Sequence, residues 1–268
     1  MTSLQSYHMF QRRETYLKIA HLPFEEILAE MRKPEVREAI LGDKDIPHEY
    51  QGSMTAGVHL LLQAAFGRLY EIENPVDYEP TKDKCFEACA KAAGQTQQEF
   101  MYEFLTGGDG RRFAIVLGSN YYENSHDCLY EMLLNKHTVT GLSDAGAHVN
   151  MIFDGVAGTY QMMHWGRDRK RGPLIPLEHL VFKQTYNNAN LYGLTDRGSI
   201  ELGKRADINI IDHGRLALGP LGVYDDLPAG GSRILQSSVG YIGTFVNGVQ
   251  TRSFDEDTGA RPGRLIRG

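Results

Sequence analysis

The first part of the chain repeats apolar residues at the spacing of amphipathic helices. From Phe24, apolar residues recur at positions 24, 27, 28 and 31, and Pro34 ends this predicted helix before a short second one. Thr81 is a candidate cap for a later helix that stops at Gly94, and residues 96–99 read as a capping box for the next. The pattern of residues 54–73 is compatible with either a helix or strands.

Two strand-then-helix units follow in the pattern. Residues 113–118 and 138–142 are short β-type runs suited to buried parallel strands. Ser125 is a candidate cap for the helix after the first run, and Pro176 opens the helix after the second. Alternation of this kind predicts the α/β class.

Beyond residue 195 the pattern becomes β. Residues 197–200, 206–212 and 241–246 read as short strands, and Asn247-Gly248 is a hairpin signal. The change predicts a domain boundary, with residues 1–195 in one part and residues 196–268 in a β segment with a C-terminal tail.

Composition narrows the function classes. The chain has 268 residues, is 41% hydrophobic and carries a formal net charge of −6, and no stretch clusters basic with aromatic residues, so we expect no nucleic-acid partner. No apolar run approaches the roughly 18 residues of a membrane span, and no signal peptide is recognisable, so we expect no membrane partner and a cytoplasmic location. Cys85, Cys89 and Cys128 form no CxxC pair, and the first two are expected in the core.

One acidic residue, Asp144, stands just past the end of the second predicted strand. The first polar group beyond the carboxyl end of a buried parallel strand faces the ligand site in α/β enzymes, although an Asp near a Gly is also typical of a turn. His148 is either a substrate contact beside this carboxylate or a histidine that orients the turn. Asn120 and Tyr121, past the first predicted strand, either line the site or pack the loop, and His164 with Trp165 is expected in the core.

Six motifs follow one another along the chain: Gly141-Leu142-Ser143-Asp144-Ala145-Gly146-Ala147-His148, Thr159-Tyr160 through His164-Trp165 and Arg167-Asp168, Asp196-Arg197-Gly198, Gly203-Lys204-Arg205-Ala206-Asp207, Asp226 to Gly231, and Thr258 to Arg264. In this order they resemble the N-acyl-D-amino-acid deacylases (D-aminoacylases) of the amidohydrolase superfamily. The resemblance covers most of the chain from residue 22 onward, and the Gly203 to Asp207 segment is shared by many amidohydrolases.

The resemblance implies a TIM-like metal-dependent barrel followed by a small β-sandwich. Residues 1–195 would be the C-terminal part of the barrel with a helical insertion, and residues 196–268 the sandwich segment and tail. Family members use zinc and water to hydrolyse the non-peptide C–N bond of a linear amide, an N-acylated D-amino acid. Asp144 matches the family's general base and acid, and it is also a candidate metal ligand, while His148, Asn120 and Tyr121 are candidate substrate contacts.

The chain departs from the family in its metal ligands. The ten histidines include no His-x-His pair, with which the family's metal site begins. The chain therefore resembles only the C-terminal half, with barrel strands 7 and 8 at residues 113–118 and 138–143. An unpaired edge beside strand 7 would favour association with a partner chain or with itself.

Three hypotheses stay open. The chain is part of a deacylase completed by a partner chain, a non-catalytic assembly subunit, or a self-sufficient hydrolase of another type that uses Asp144 and His148.

Overall fold

The computed structural model describes residues 1–141 and 143–266, which fall into two units. Unit 1 is Met1–Ser125 and unit 2 is His126–Gly268. This division follows contacts, whereas the predicted boundary at residue 195 follows a change of sequence pattern and lies inside unit 2.

Local capping signals set the helices of unit 1. Pro34 occupies the first turn of its helix, and Gly94 ends another in the left-handed conformation, with φ of 69°. The capping box at Thr96 is confirmed, because its side chain accepts from the Glu99 amide and the Glu99 carboxylate accepts from the Thr96 amide. Thr81 instead precedes a 3₁₀ turn, Lys82–Lys84, so the predicted cap there is wrong. The helices are α1 (Glu14–Ile19), α2 (Phe24–Met31), α3 (Pro34–Gly42), α4 (Met54–Ala64), α5 (Phe86–Ala93) and α6 (Gln97–Thr106).

Aromatic rings fill the core of unit 1. Phe86 contacts Phe66, Phe100 and Phe104 with ring centroids 4.7–5.9 Å apart. Tyr102 is buried and donates a hydrogen bond of 2.6 Å to the Met31 carbonyl, which ties α6 to the end of α2. Cys85 is fully buried, as expected, whereas Cys89 is only partly buried.

Unit 1 also holds a short antiparallel sheet of β1 (Leu69–Glu71) and β2 (Ala114–Val116). The predicted strand at 113–118 is therefore present in shorter form, but it pairs antiparallel. On the other side of β2, Ala114 forms an antiparallel β-bridge with Thr2. The expected unpaired edge beside this strand is wrong, because Thr2 exchanges two backbone hydrogen bonds with Ala114 on one side. On the other side β1 pairs with the strand, and the Ile72 amide donates to the Phe113 carbonyl at 2.8 Å.

The helices of unit 2 follow the expected order with shifted starts. The helix after Ser125 begins at Asp127 with His126 at its N-cap, so Ser125 is not the cap. Pro176 directly precedes its helix, as predicted. The helices are α7 (Asp127–Leu134), α8 (Ala157–Tyr160), a π-helix (Gln161–Asp168), α9 (Leu177–Gln184) and α10 (Tyr186–Leu191).

The strand predicted at 138–143 is not formed at residues 138–141 and 143, and Leu142 lies outside the described residues. The physical reason lies in the hydrogen bonds of Thr138. The Thr138 hydroxyl donates to the Asn135 carbonyl 3.0 Å away, and the Lys183 ammonium donates to the Thr138 carbonyl at 2.6 Å. Side chains therefore occupy groups that a strand would use for its ladder.

The β pattern beyond residue 195 is confirmed within residues 206–212 and at residues 241–246, whereas residues 197–200 form no strand. One sheet has the order β3-β6-β7-β8, and Asn247 and Gly248 form its predicted hairpin turn with φ of 51° and 78°. A long hairpin of β4 and β5, turning at Pro228–Gly230, is additional. The strands are β3 (Ile208–Ile211), β4 (Ala217–Leu227), β5 (Gly231–Val239), β6 (Tyr241–Val246), β7 (Val249–Ser253) and β8 (Glu256–Asp257).

The fold is thus a mixture of helices and sheets, as the class prediction requires. Every strand pair in the described ranges is antiparallel, so the barrel portion and the sandwich stay predictions. None of the described helices has the length and apolar character needed to cross a bilayer.

Candidate active site

The loop that carries Asp144 is a pair of tight turns in unit 2. The Ala147 amide donates to the Asp144 carbonyl at 3.0 Å, and the Met151 amide donates to the His148 carbonyl at 2.7 Å. Asp144, Gly146 and His148 all have positive φ, of 53°, 92° and 46°. Non-glycine residues rarely adopt this conformation, and such residues concentrate at functional sites.

The two predicted site residues of this loop face solvent. Asp144 and His148 are both exposed. Within the described part of the chain, no hydrogen bond or ion pair joins the Asp144 carboxylate to the His148 ring. The carboxylate is therefore accessible to a ligand, and the role of His148 stays a prediction.

A second carboxylate lies near Asp144. Asp154 begins the 3₁₀ turn Asp154–Val156, and the space beside Gly155 is bounded by the Ala145 side chain. Asp154 is exposed by surface area, yet partial desolvation and then the charge of Asp144 raise its pKa above the ordinary value. A carboxylate whose pKa is raised by desolvation and a neighbouring charge is a candidate for proton transfer.

Two contacts anchor the loop to the rest of unit 2. On its C-terminal side, the Ile234 amide of β5 donates to the Val149 carbonyl at 2.9 Å. On its N-terminal side, the buried Lys183 ammonium donates to the carbonyls of Asn135 and Thr138, both at 2.6 Å. Burial lowers the pKa of Lys183. The long hairpin and α9 thus hold the two ends of the segment that contains Asp144.

Asn120 and Tyr121 lie in unit 1. Asn120 is exposed and has a φ of 61°. Tyr121 is buried, its hydroxyl donates to the Pro80 carbonyl, and its ring contacts Tyr70 edge-on with centroids 6.2 Å apart. Tyr121 therefore has a packing role in unit 1, and its role in substrate binding stays a prediction.

Unit 2 also brings together two histidines that are 38 positions apart. Ring nitrogens of His126 and His164 lie within 4.8 Å of each other. His126 caps α7, whereas His164 lies on the π-helix, an element frequently found at functional sites. The sequence predicts His164 in the core and gives no signal for His126, because a spacing of 38 residues matches no short metal motif.

Aromatic and basic side chains surround the two histidines. The Tyr160 ring stacks on His164 with centroids 4.8 Å apart, and Trp165 meets His164 edge-on at 5.3 Å. The Arg169 guanidinium lies 4.6 Å from the Trp165 ring and donates to the Asp127 carboxylate at 2.6 Å. These contacts restrict the ring orientations on both α7 and the π-helix.

The described residues of unit 2 supply two imidazole ligands for a metal ion. A hydrolytic zinc takes three protein ligands and one open position. Within either unit taken by itself, the described residues do not bring three ligand atoms of His, Cys, Asp or Glu within 4.8 Å of one another. Unit 2 by itself therefore does not fit a complete hydrolytic metal site.

Comparison with known proteins defines the class. A family model described as "Amidohydrolase family" matches residues 83–251, which is more than half of the chain and includes Asp144, His126 and His164. The chain belongs to the amidohydrolase family, whose members are in general metal-dependent hydrolases. No curated protein and no solved structure matches the chain significantly.

Proposed function

We propose that this chain is the C-terminal half of a zinc-dependent N-acyl-D-amino-acid deacylase, with Asp144 as its general base and acid. The observation that carries the proposal is the exposed Asp144 loop inside the region matched by the amidohydrolase family. The order of motifs from Gly141 to Arg264 supports the narrower assignment to deacylases of D-amino acids.

Asp144 has the chemistry for both proton transfers in amide hydrolysis. As a carboxylate it accepts a proton from the water that attacks the amide carbonyl. It then donates this proton to the nitrogen as the C–N bond breaks, which yields a carboxylic acid and an amine. Asp154 lies close enough that the charge of Asp144 contributes to its raised pKa.

A metal ion in this family polarises the carbonyl and activates water when bound. His126 and His164 are the candidate ligands from unit 2, and Asp144 is a further candidate. Because unit 2 does not complete the set, we propose that a partner chain carrying the first part of the barrel supplies the remaining ligands.

The described residues of unit 2 bring together only two candidate ligands, and this also favours a second candidate function. In this alternative, the chain is an assembly subunit without catalytic activity, which keeps the family's fold but not its chemistry.

Metal content and turnover separate the two functions. The purified chain is assayed for zinc and for hydrolysis of N-acetyl-D-amino acids, alone and with the product of the adjacent reading frame. We expect zinc and turnover only in the mixture, and loss of turnover in Asp144→Ala. Absence of zinc and of turnover, both for the chain alone and for the mixture, would support the assembly subunit and refute the deacylase.

Chelation tests the remaining hypothesis of a self-sufficient hydrolase. Activity of the chain alone that survives a chelator would contradict the metal-dependent proposal.

A further inference from the structure

We propose that unit 1 contains a binding site for a small oxyanion, in a cavity formed by the segment before α1, the loop before α4, and α4 itself. The cavity measures about 210 Å³, room for several water molecules or one small organic ion. Its lining contains no Asp or Glu. The lining residues that could contact an anion are Tyr7, His8, Arg12, His48, Thr55 and His59.

His8 presents an unused hydrogen-bond donor. It is 1% exposed, and its Nδ1 accepts from the Phe10 amide at 3.3 Å. Burial, together with nearby His59, lowers the pKa of His8 to about 3, so the ring is neutral at pH 7. A neutral ring whose Nδ1 accepts carries its proton on Nε2. That Nε2 is buried and has no hydrogen-bond partner, and a buried donor of this kind favours an acceptor.

His48 and Arg12 also line the cavity. Arg12 donates from Nε to the Ile46 carbonyl at 2.9 Å and from Nη2 to the Pro47 carbonyl at 2.8 Å, which fixes the loop beside it. Desolvation lowers the pKa of His48, and the charge of Arg12 adds to the effect. Its Nε2 is likewise buried without a hydrogen-bond partner.

The nearby carboxylate does not cancel this positive charge. Asp45 pairs with Arg13 at 2.7 Å, and it also accepts from Gln63 at 2.8 Å and lies 3.3 Å from the His59 ring nitrogen. Arg12 therefore contributes a positive charge to the cavity, and the residues that line the cavity include no carboxylate to pair with it. Donors and a net positive charge favour an oxyanion, as carried by a carboxylate or a phosphate.

A metal ion is a poorer fit to the same residues. The described residues of unit 1 bring no three ligand atoms within 4.8 Å. The protonated Nε2 of His8 also cannot bind a metal ion, because a ligating nitrogen must be unprotonated.

An anion in the cavity would favour the protonated form of His48. Arg12 and His59 oppose its protonation, and Asp45 favours it. The negative charge of a bound ion would offset Arg12 and raise the pKa of His48. Binding is therefore coupled to proton uptake at this histidine.

NMR spectra of the histidine rings test the site in the full chain. Sodium acetate and sodium phosphate are titrated separately at constant ionic strength, with exposed His21 as the internal control. We expect saturable chemical-shift changes at His8 and His48 with one or both ions. The His21 ring should show no change with the same concentration dependence. In the bound state the pKa of His48 should be raised. Acetate alone would identify a carboxylate site and phosphate alone a phosphate site.

Variants of Arg12 separate charge from loop structure. Arg12→Gln should weaken binding about tenfold or more, whereas Arg12→Lys should retain most of it, because the lost contact is charge-assisted. Absence of saturable shifts with both ions would mean that water alone fills the cavity and would overturn the proposal. Equal affinity in Arg12→Gln and the parent chain would overturn it as well.

Discussion

Lys183→Met tests how the segment leading to Asp144 is held. The Lys183 ammonium is 1% exposed and makes three hydrogen bonds, to the carbonyls of Asn135 and Thr138 at 2.6 Å and to the Thr138 hydroxyl at 3.1 Å. Methionine keeps the apolar stem and removes all three donors. The Thr138 carbonyl then retains only a long contact of 3.4 Å from Asn187.

The expected cost follows from these contacts. Hydrogen bonds to a charged group contribute about 1.5–3 kcal/mol each, but desolvation of the ammonium, which lowers the pKa of Lys183, offsets part of this gain. We therefore expect Lys183→Met to reduce the free energy of unfolding of unit 2 by about 3 kcal/mol.

Trp165, the single tryptophan of the chain, reports on unit 2 by its fluorescence during urea unfolding. Lys136→Met is the matched control, because the same change is made at an exposed lysine. Because the pKa of Lys183 is lower in the folded state, the unfolded state binds more protons between the two pKa values. The parent chain should thus gain stability as pH rises through that window, and Lys183→Met should lack the gain. Equal stability of the two variants within about 0.5 kcal/mol would refute the anchoring role.

Four further predictions concern single residues. Asp144→Asn should lower the pKa of Asp154, because it removes a neighbouring negative charge, and carboxyl ¹³C NMR would show an unchanged value if the reasoning is wrong. Since the folded-state pKa of Asp154 is raised, its stabilising contribution falls as pH rises through that value, and Asp154→Asn should flatten this part of the pH–stability curve. Thr96→Ala should cost unit 1 about 1 kcal/mol in urea unfolding by removing a helix cap, whereas no loss would contradict the capping assignment. Gly240→Ala should destabilise unit 2, because Gly240 has a φ of 109° and an added Cβ would lie 2.8 Å from the Leu216 Cα; thermal unfolding at the parent temperature would contradict this.

Features encoded by neighbouring residues could be predicted from the sequence. The helix from Phe24 to Met31, the capping box at Thr96 and the hairpin at Asn247-Gly248 depend on contacts within a few positions. The β4–β5 hairpin was missed because its residues show no simple alternation of buried and exposed positions. The partner of a strand is not a local property either, and β2 pairs antiparallel with β1 rather than in a parallel barrel.

The candidate site was predictable only in part for the same reason. Asp144 stands in a turn that Gly146 marks in the sequence. The proximity of His126 and His164 depends on the π-helix and on packing around Trp165, which no spacing rule anticipates. The strand expected before Asp144 failed because a distant residue, Lys183, takes up the Thr138 carbonyl.

The most direct test of the central claim is the turnover of N-acetyl-D-amino acids by the zinc-containing assembly with Asp144→Asn. Asp225→Asn, at an exposed aspartate of β4, is the matched control. Our account predicts that Asp144→Asn lowers kcat by about 10²- to 10⁴-fold with folding intact, while the control retains parental turnover. Unchanged zinc content in Asp144→Asn would assign the loss to proton transfer rather than to metal binding. A kcat within a few-fold of the parent assembly would contradict the role of Asp144 and the proposed mechanism with it.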